Sequence, residues 1–239
     1  MVRLKWGLAH SVNYISAWLI KQFSEQSVVD LMKKMGIESR IDPVPSIFLG
    51  TADISLHDMV GAYSTFANEG VYTEPLLVTR IEDRRGNVIS TFTPPEREVI
   101  NEQTSYLMLE LLQNVVKEGT GIRLRFKYNL NNEIAGKTGT TQNQSDGWFM
   151  GVTPNLVSGV WVGGENRSIH FNSIALGQGA NMALPIWALY MKQIYNDESL
   201  ENKVSKEDEF EEPLDFNYIL DCEEYDRKQG NDRTDDDFF

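Results

Sequence analysis

Cysteine, histidine and long apolar runs are scarce in this chain of 239 residues. The single cysteine, Cys222, excludes a disulfide within the chain. Such scarcity fits a cytosolic and a periplasmic protein equally. Three scattered histidines, His10, His57 and His170, do not make a metal site with one cysteine. No metal and no cofactor is expected. No apolar run is long enough to span a bilayer, and no signal peptide is evident. Basic residues are outnumbered, 22 Lys and Arg against 35 Asp and Glu, for a net charge of −13. From Asp197 to Phe239 there are 17 acidic and 5 basic residues, which accounts for −12 and leaves −1 for the rest. A neutral body with an acidic tail argues against nucleic-acid binding, which needs clustered Lys and Arg. The sequence therefore divides into a body, 1–196, and an acidic tail, 197–239, expected to be mostly disordered. Within the tail, Leu214 to Leu220 is an apolar island able to dock.

The body has length enough for one domain with a sizeable core. Residues Leu4 to Phe23 read as helix interrupted near Ser11, with Trp18, Leu19, Ile20 and Phe23 on an apolar face. Glu25 to Met35 is a second helix closed by Gly36, and Ile41 to Gly50 a loop containing proline. Ser55 caps a third helix, with Asp58 in capping-box position and Gly70 as the stop. Pro75 to Phe92 reads as a hairpin and Asn101 to Lys117 as a long amphipathic helix. Three strands follow, near 133–140, 147–153 and 156–162, the last two joined at Pro154-Asn155. A final helix runs from Asn181 to Tyr195 and offers Trp187, Leu189, Tyr190 and Ile194 to a sheet. Trp148 and Trp161 read as core strand residues. Helices, then antiparallel strands, then a helix predict an α+β domain with helices packed on an antiparallel sheet.

The chemistry concentrates in Lys137-Thr138-Gly139-Thr140-Thr141, at the end of an apolar strand. A cation, several hydroxyls and a glycine admitting close backbone approach suit a site that holds a carboxylate and a polarised carbonyl. Lys-Thr-Gly is one of three motifs of penicillin-recognising acyl-enzymes. Downstream, the block from Ser145 to Gly163, which opens Ser145-Asp146-Gly147-Trp148-Phe149-Met150-Gly151-Val152-Thr153-Pro154-Asn155, closely resembles the same stretch in class A penicillin-binding proteins, the bifunctional peptidoglycan synthases. Ser11-Val12-Asn13 resembles that family's Ser-x-Asn motif. Gly50 to Ser55, Ala62 to Gly70 and Val115 to Gly121 add to the likeness, which covers residues 3 to 195.

The resemblance implies the serine β-lactamase and penicillin-binding transpeptidase fold, incomplete at its N-terminus. It implies part of a D,D-transpeptidase that cross-links peptidoglycan stem peptides by acyl transfer from D-Ala-D-Ala and that binds penicillin. Ser11 would relay a proton to the leaving amine, and Asn13 would bind the substrate amide. Lys137 would support Ser11 and the substrate carboxylate, and Thr138 and Thr140 would offer it hydroxyls, with Gly139 and Thr141 completing the substrate strand. The Thr140 N–H would form half of an oxyanion hole, and such a donor is worth about 3 kcal/mol. The family's nucleophile, the serine of a Ser-x-x-Lys motif, has no counterpart here: no serine has a lysine three residues on. The expected reading is therefore the C-terminal part of a transpeptidase domain, inactive alone. Its parent would carry a glycosyltransferase and a membrane anchor, both absent here, and would work on the periplasmic face of the bacterial inner membrane, where β-lactam antibiotics would meet the complete site. A D,D-carboxypeptidase or β-lactamase-like enzyme, and a non-catalytic module binding stem peptides or a partner, are the alternatives. His10 beside Ser11 suggests a pair, but helix neighbours point apart.

Overall fold

The computed structural model describes residues 3–200 and 203–218. Two short helices, α1 (Leu4–Ala9) and α2 (Asn13–Ile20), meet at a sharp bend and lead into α3 (Glu25–Lys34). Ser24 caps α3 by accepting the Ser27 N–H, and Gly36 closes it with φ +87°. The loop after α3 is not wholly irregular: Pro45–Leu49 forms a 3₁₀ turn, with proline starting it.

Ser55 caps α4 (Leu56–Ala67) by accepting the Asp58 N–H at 3.0 Å. The capping box is not closed as the sequence predicts. Asp58 Oδ2 instead accepts from Glu38 N, Ser39 N and Ser39 Oγ, and so ties α4 to the loop after α3. Val29, Met35, Ile37, Ile41, Ile47 and Ala62 bury the resulting apolar cluster, with Ile20 against it. Trp18 and Phe23, expected on the same packed face, stay more than half exposed.

Beyond α4, β1 (Val71–Thr73) pairs with β4 (Glu96–Glu98), and the hairpin of β2 (Arg80–Glu82) and β3 (Val88–Thr91) projects between them. This hairpin is shorter than predicted, because Leu77 and Val78 have nothing to pack on and lie exposed. Then come α5 (Glu102–Lys117), capped by Asn101, and the single turn α6 (Arg123–Phe126). The sheet that organises the domain is antiparallel, in the order β5 (Ala135–Thr140), β6 (Asp146–Thr153), β7 (Leu156–Gly163). A four-residue turn, α7 (Ile174–Gly177), precedes α8 (Gly179–Ile194).

Alternation along the strands splits the core in two. On one face Phe149 stacks edge-on against Trp187 of α8, within a buried cluster that includes Ile134, Leu184 and Met191. On the other, Ala135 and Val152 pack on Leu109 and Leu112 of α5. Gly151 lets Trp187 lie on the sheet, since a Cβ there would sit 2.3 Å from its ring. Leu189 and Tyr190 do not join this face as predicted. They fall on the outer side of α8 and are about half exposed.

Part of the acidic segment is packed on the domain. Residues 203–218 carry neither helix nor strand, yet the Phe210 N–H donates to Glu133, Asn155 donates to Asp208, and Phe216 stacks edge-on with Tyr106. Phe210 also covers the cluster around Leu109. Of the expected island Leu214–Leu220, Phe216 reaches Tyr106 while Leu214 and Tyr218 stay exposed; its last two residues, Cys222 and the remainder lie outside the described residues. Phe210→Ala is expected to lower stability by about 1–2 kcal/mol, as for a half-buried aromatic. A thermal unfolding midpoint that does not move would place this strap outside the folded unit.

Candidate active site

The bend between α1 and α2 is a helix stop built around Ser11. The Val12 N–H donates to Gly7 O and the Ser11 N–H to Leu8 O, the paired bonds of a left-handed helix cap. That cap puts Ser11 at φ +54°, a position glycine normally takes. A serine held there costs about 1 kcal/mol of backbone strain. It turns the hydroxyl away from the helix and toward β5. His10 goes the other way: its Nδ1 bonds to Trp6 O and its ring stacks on Trp6 at 4.5 Å.

Lys137 Nζ donates to Ser11 Oγ at 2.9 Å and to Thr138 O at 2.9 Å. These contacts join two sequence motifs 126 positions apart. Burial pushes the Lys137 ammonium down to about 8. Asn13, the first residue of α2, is exposed, and no hydrogen bond links its side chain to Lys137 or Ser11 among the described residues.

β5 is one of the two edge strands of its sheet among the described residues. The Thr141 N–H donates to Asp146 O on β6. Because successive N–H groups point to opposite edges of a strand, the Thr140 N–H points to the open edge. The Thr138 hydroxyl is buried and lies 2.6 Å from the Thr120 hydroxyl. Thr140 departs from expectation, since its hydroxyl accepts from Gly179 N at 2.9 Å, at the start of α8. The strand alternation that aims Lys137 at Ser11 turns Thr140 to the α8 face. Its hydroxyl keeps one proton to donate, and the backbone N–H is its stronger offering to the cleft. Gly139 lies opposite Trp148, where a Cβ would come within 3.0 Å of the tryptophan's own.

Lys137 to Thr141 line one wall of a cleft of about 850 Å³. Trp148, Met150 and Trp161 also line it, together with Ile47, Leu49, Gly50 and Ala52 to Ser55 and with Leu56, Met59 and Tyr63 of α4. Trp148 and Trp161 are therefore cleft residues and not core. β7 is the outer strand, and Trp161 is 42% exposed. Two residues with evident work here were not singled out from the sequence. Asp146 accepts from Thr141 Oγ1, Ser145 Oγ and Trp161 Nε1, and so ties the end of β5 to the cleft wall. Thr120 braces Thr138. The Ser-Asp and Gly-Thr-Gly stretches that hold them carried only general likeness. Among the described residues, no group of three or more His, Cys, Asp or Glu could hold a metal, and no helix is long and apolar enough to cross a membrane.

A partly dehydrated ammonium bonded to a hydroxyl at a strand edge suits the class of ligands that bear a carboxylate. Sequence comparison agrees with that class. Residues 2–166 match the penicillin binding protein transpeptidase domain, and the chain belongs to that family. It is 34% identical over 206 residues to penicillin-binding protein 1A of Aquifex aeolicus, covering 84% of this chain and 27% of that protein. It is 30% identical over 247 residues to penicillin-binding protein 1A of Pseudomonas aeruginosa, covering 80% of this chain and 29% of that one. The crystal structure of penicillin-binding protein 1A from Haemophilus influenzae superposes with a TM-score of 0.77 at 22% identity, over 89% of this chain and 36% of that one. The penicillin-binding protein PonA1 from Mycobacterium tuberculosis gives 0.73 at 23%, over 89% of this chain and 60% of that one. The chain thus spans under a third of the length of the two relatives.

Proposed function

We propose that the cleft holds the D-Ala-D-Ala end of a peptidoglycan stem peptide, as part of a serine-type D,D-transpeptidase. The observation that carries this reading is the bond from Lys137 Nζ to Ser11 Oγ. The ammonium attracts the terminal carboxylate and keeps the Ser11 hydroxyl aligned to pass a proton to the leaving amine. Thr138 adds a hydroxyl at the carboxylate, and the Thr140 N–H faces the carbonyl oxygen from the open edge of β5. Asn13 takes the substrate amide. The nucleophile comes from a Ser-x-x-Lys segment outside these residues, and β-lactams acylate the site when that segment is present. The exposed Tyr14 and Trp18 on α2, with Phe23 just after it, support a further element covering this face. In a complete synthase the domain follows a glycosyltransferase and a membrane anchor, on the outer face of the bacterial inner membrane. The second reading, a module that binds stem peptides without catalysis, is favoured by the lack of a serine with a lysine three residues on.

Two measurements on this chain test the proposal. Titration with a short peptide ending in D-Ala-D-Ala should shift the amide resonances of 137–141. Affinity should stay level below pH 8 and fall as Lys137 loses its proton near 8. Incubation with penicillin should leave the intact mass unchanged. A pH-independent affinity would remove Lys137 from carboxylate binding, and a covalent adduct would overturn the external nucleophile.

A further inference from the structure

The turn Gly119-Thr120-Gly121, between α5 and α6, touches both halves of the site. The Thr120 N–H donates to Ala9 O at 3.0 Å, two residues before Ser11. The Thr120 hydroxyl meets that of Thr138 at 2.6 Å, next to Lys137. One residue thus bonds to the last turn of α1 through its backbone and to β5 through its side chain. Gly119 brings the two so close that a Cβ there would lie 2.2 Å from Ala9 O and 2.7 Å from Ala9 C. The turn is itself fixed, since Gly121 N–H and Gly119 N–H both donate to Val115 O at the end of α5.

We propose that Gly119 and Thr120 form the spacer that sets the distance between Ser11 and Lys137, with Thr120 a positioning residue for both motifs. A bond of 2.9 Å between residues on separate elements survives only if the backbones carrying them are held to within a few tenths of an ångström. The strained bend at Ser11 follows a helix whose buried Gly7 and Ala9 face α5, while the outer faces of α1 and α2 carry the exposed Leu4, Trp6, Tyr14 and Trp18, so the bend is held from the α5 side alone. The Thr120 bond to Ala9 O holds it from the α5 side, and the hydroxyl pair holds β5 at the same turn. The hydroxyl pair also directs the Thr138 side chain, whose role toward substrate rests on the function proposed above.

Lys137 reports on the spacer directly. Burial alone lowers its pKa, with no charged side chain contributing, so water admitted beside Ser11 raises it toward the ordinary lysine value. The experiment measures the Lys137 titration by carbon-13 NMR of the ε-methylene, together with affinity for a D-Ala-D-Ala peptide, in the wild type, Gly119→Ala, Thr120→Val and Thr120→Ser. Gly119→Ala must push the Ala9 carbonyl away and should raise the Lys137 midpoint most. Thr120→Val should raise it less and weaken the peptide about tenfold, equivalent to losing one buried hydrogen bond. Thr120→Ser should restore both. A merely structural role would lower the unfolding midpoint and leave the Lys137 titration in place; an unmoved titration in both Gly119→Ala and Thr120→Val overturns the proposal. If the wild type itself binds no peptide, the functional reading fails, while the titration still judges the spacer.

Discussion

Trp187→Ala should remove about 4 kcal/mol of stability, the largest loss expected from a single substitution in this chain. Trp187 is fully buried, lies over Gly151 of β6, stacks edge-on with Phe149, and donates its indole N–H to Ser158 Oγ at 2.8 Å. Truncation leaves a cavity between α8 and the sheet and the partly buried Ser158 hydroxyl short of its donor. Backbone on both sides is fixed by the strand ladder and the helix, so little collapse into the void is possible. With total stabilities of about 5–15 kcal/mol for ordinary domains, this one change takes away a large share. Urea unfolding should show a lower midpoint with an unchanged slope. A loss under about 1 kcal/mol would mean that α8 does not seal the sheet.

Lys137→Met should do the opposite at neutral pH, stabilising the fold by about 2 kcal/mol while abolishing affinity for a D-Ala-D-Ala peptide. The cause is the lowered pKa, about 8 in the fold against about 10.4 in the unfolded chain. Below pH 8 both states carry the proton, and the folded state bears the full cost of a dehydrated ammonium. Between pH 8 and about 10.4 the unfolded chain binds more protons than the folded one, so wild-type stability rises with pH across this window. Above it the cost is gone. The advantage of Lys137→Met is therefore largest below pH 8 and vanishes above about pH 10.4, less whatever the lost bonds to Ser11 Oγ and Thr138 O contribute. Chemical denaturation at pH 7 and pH 10.5 separates the two. Equal effects at both would mean that Lys137 is not paying a hydration cost in the fold. Such a cost, kept at a site where an apolar residue packs better, is the mark of a side chain retained for its charge.

Local patterns were legible because neighbours in sequence encode them. The cap at Ser55, the stop at Gly36, the α5 amphipathic run, the Pro154-Asn155 turn and the three-strand sheet follow from periodicity and turn chemistry. So does the placement of Lys137 on a strand beside an apolar sheet. Positions depending on a second element were not legible. Asp58 has the spacing of a capping box and is taken by Ser39, and Trp161 has the look of a core residue and lines a cleft, because β7 is the outermost strand. The tail reads as acidic and unfolded, yet Phe210 and Phe216 find α5.

The sequence by itself determined the family, the α+β order of elements, and the two motifs that contain Ser11, Asn13 and Lys137. Only the tertiary structure decided that Ser11 occupies a left-handed cap, that Lys137 reaches it at 2.9 Å, that the Thr140 hydroxyl turns to α8, and that Thr120 spans the gap. The reason is physical. Residue pattern fixes the backbone over a few neighbours, whereas the meeting of side chains 126 positions apart is set by how helices and sheet pack, which no local pattern specifies.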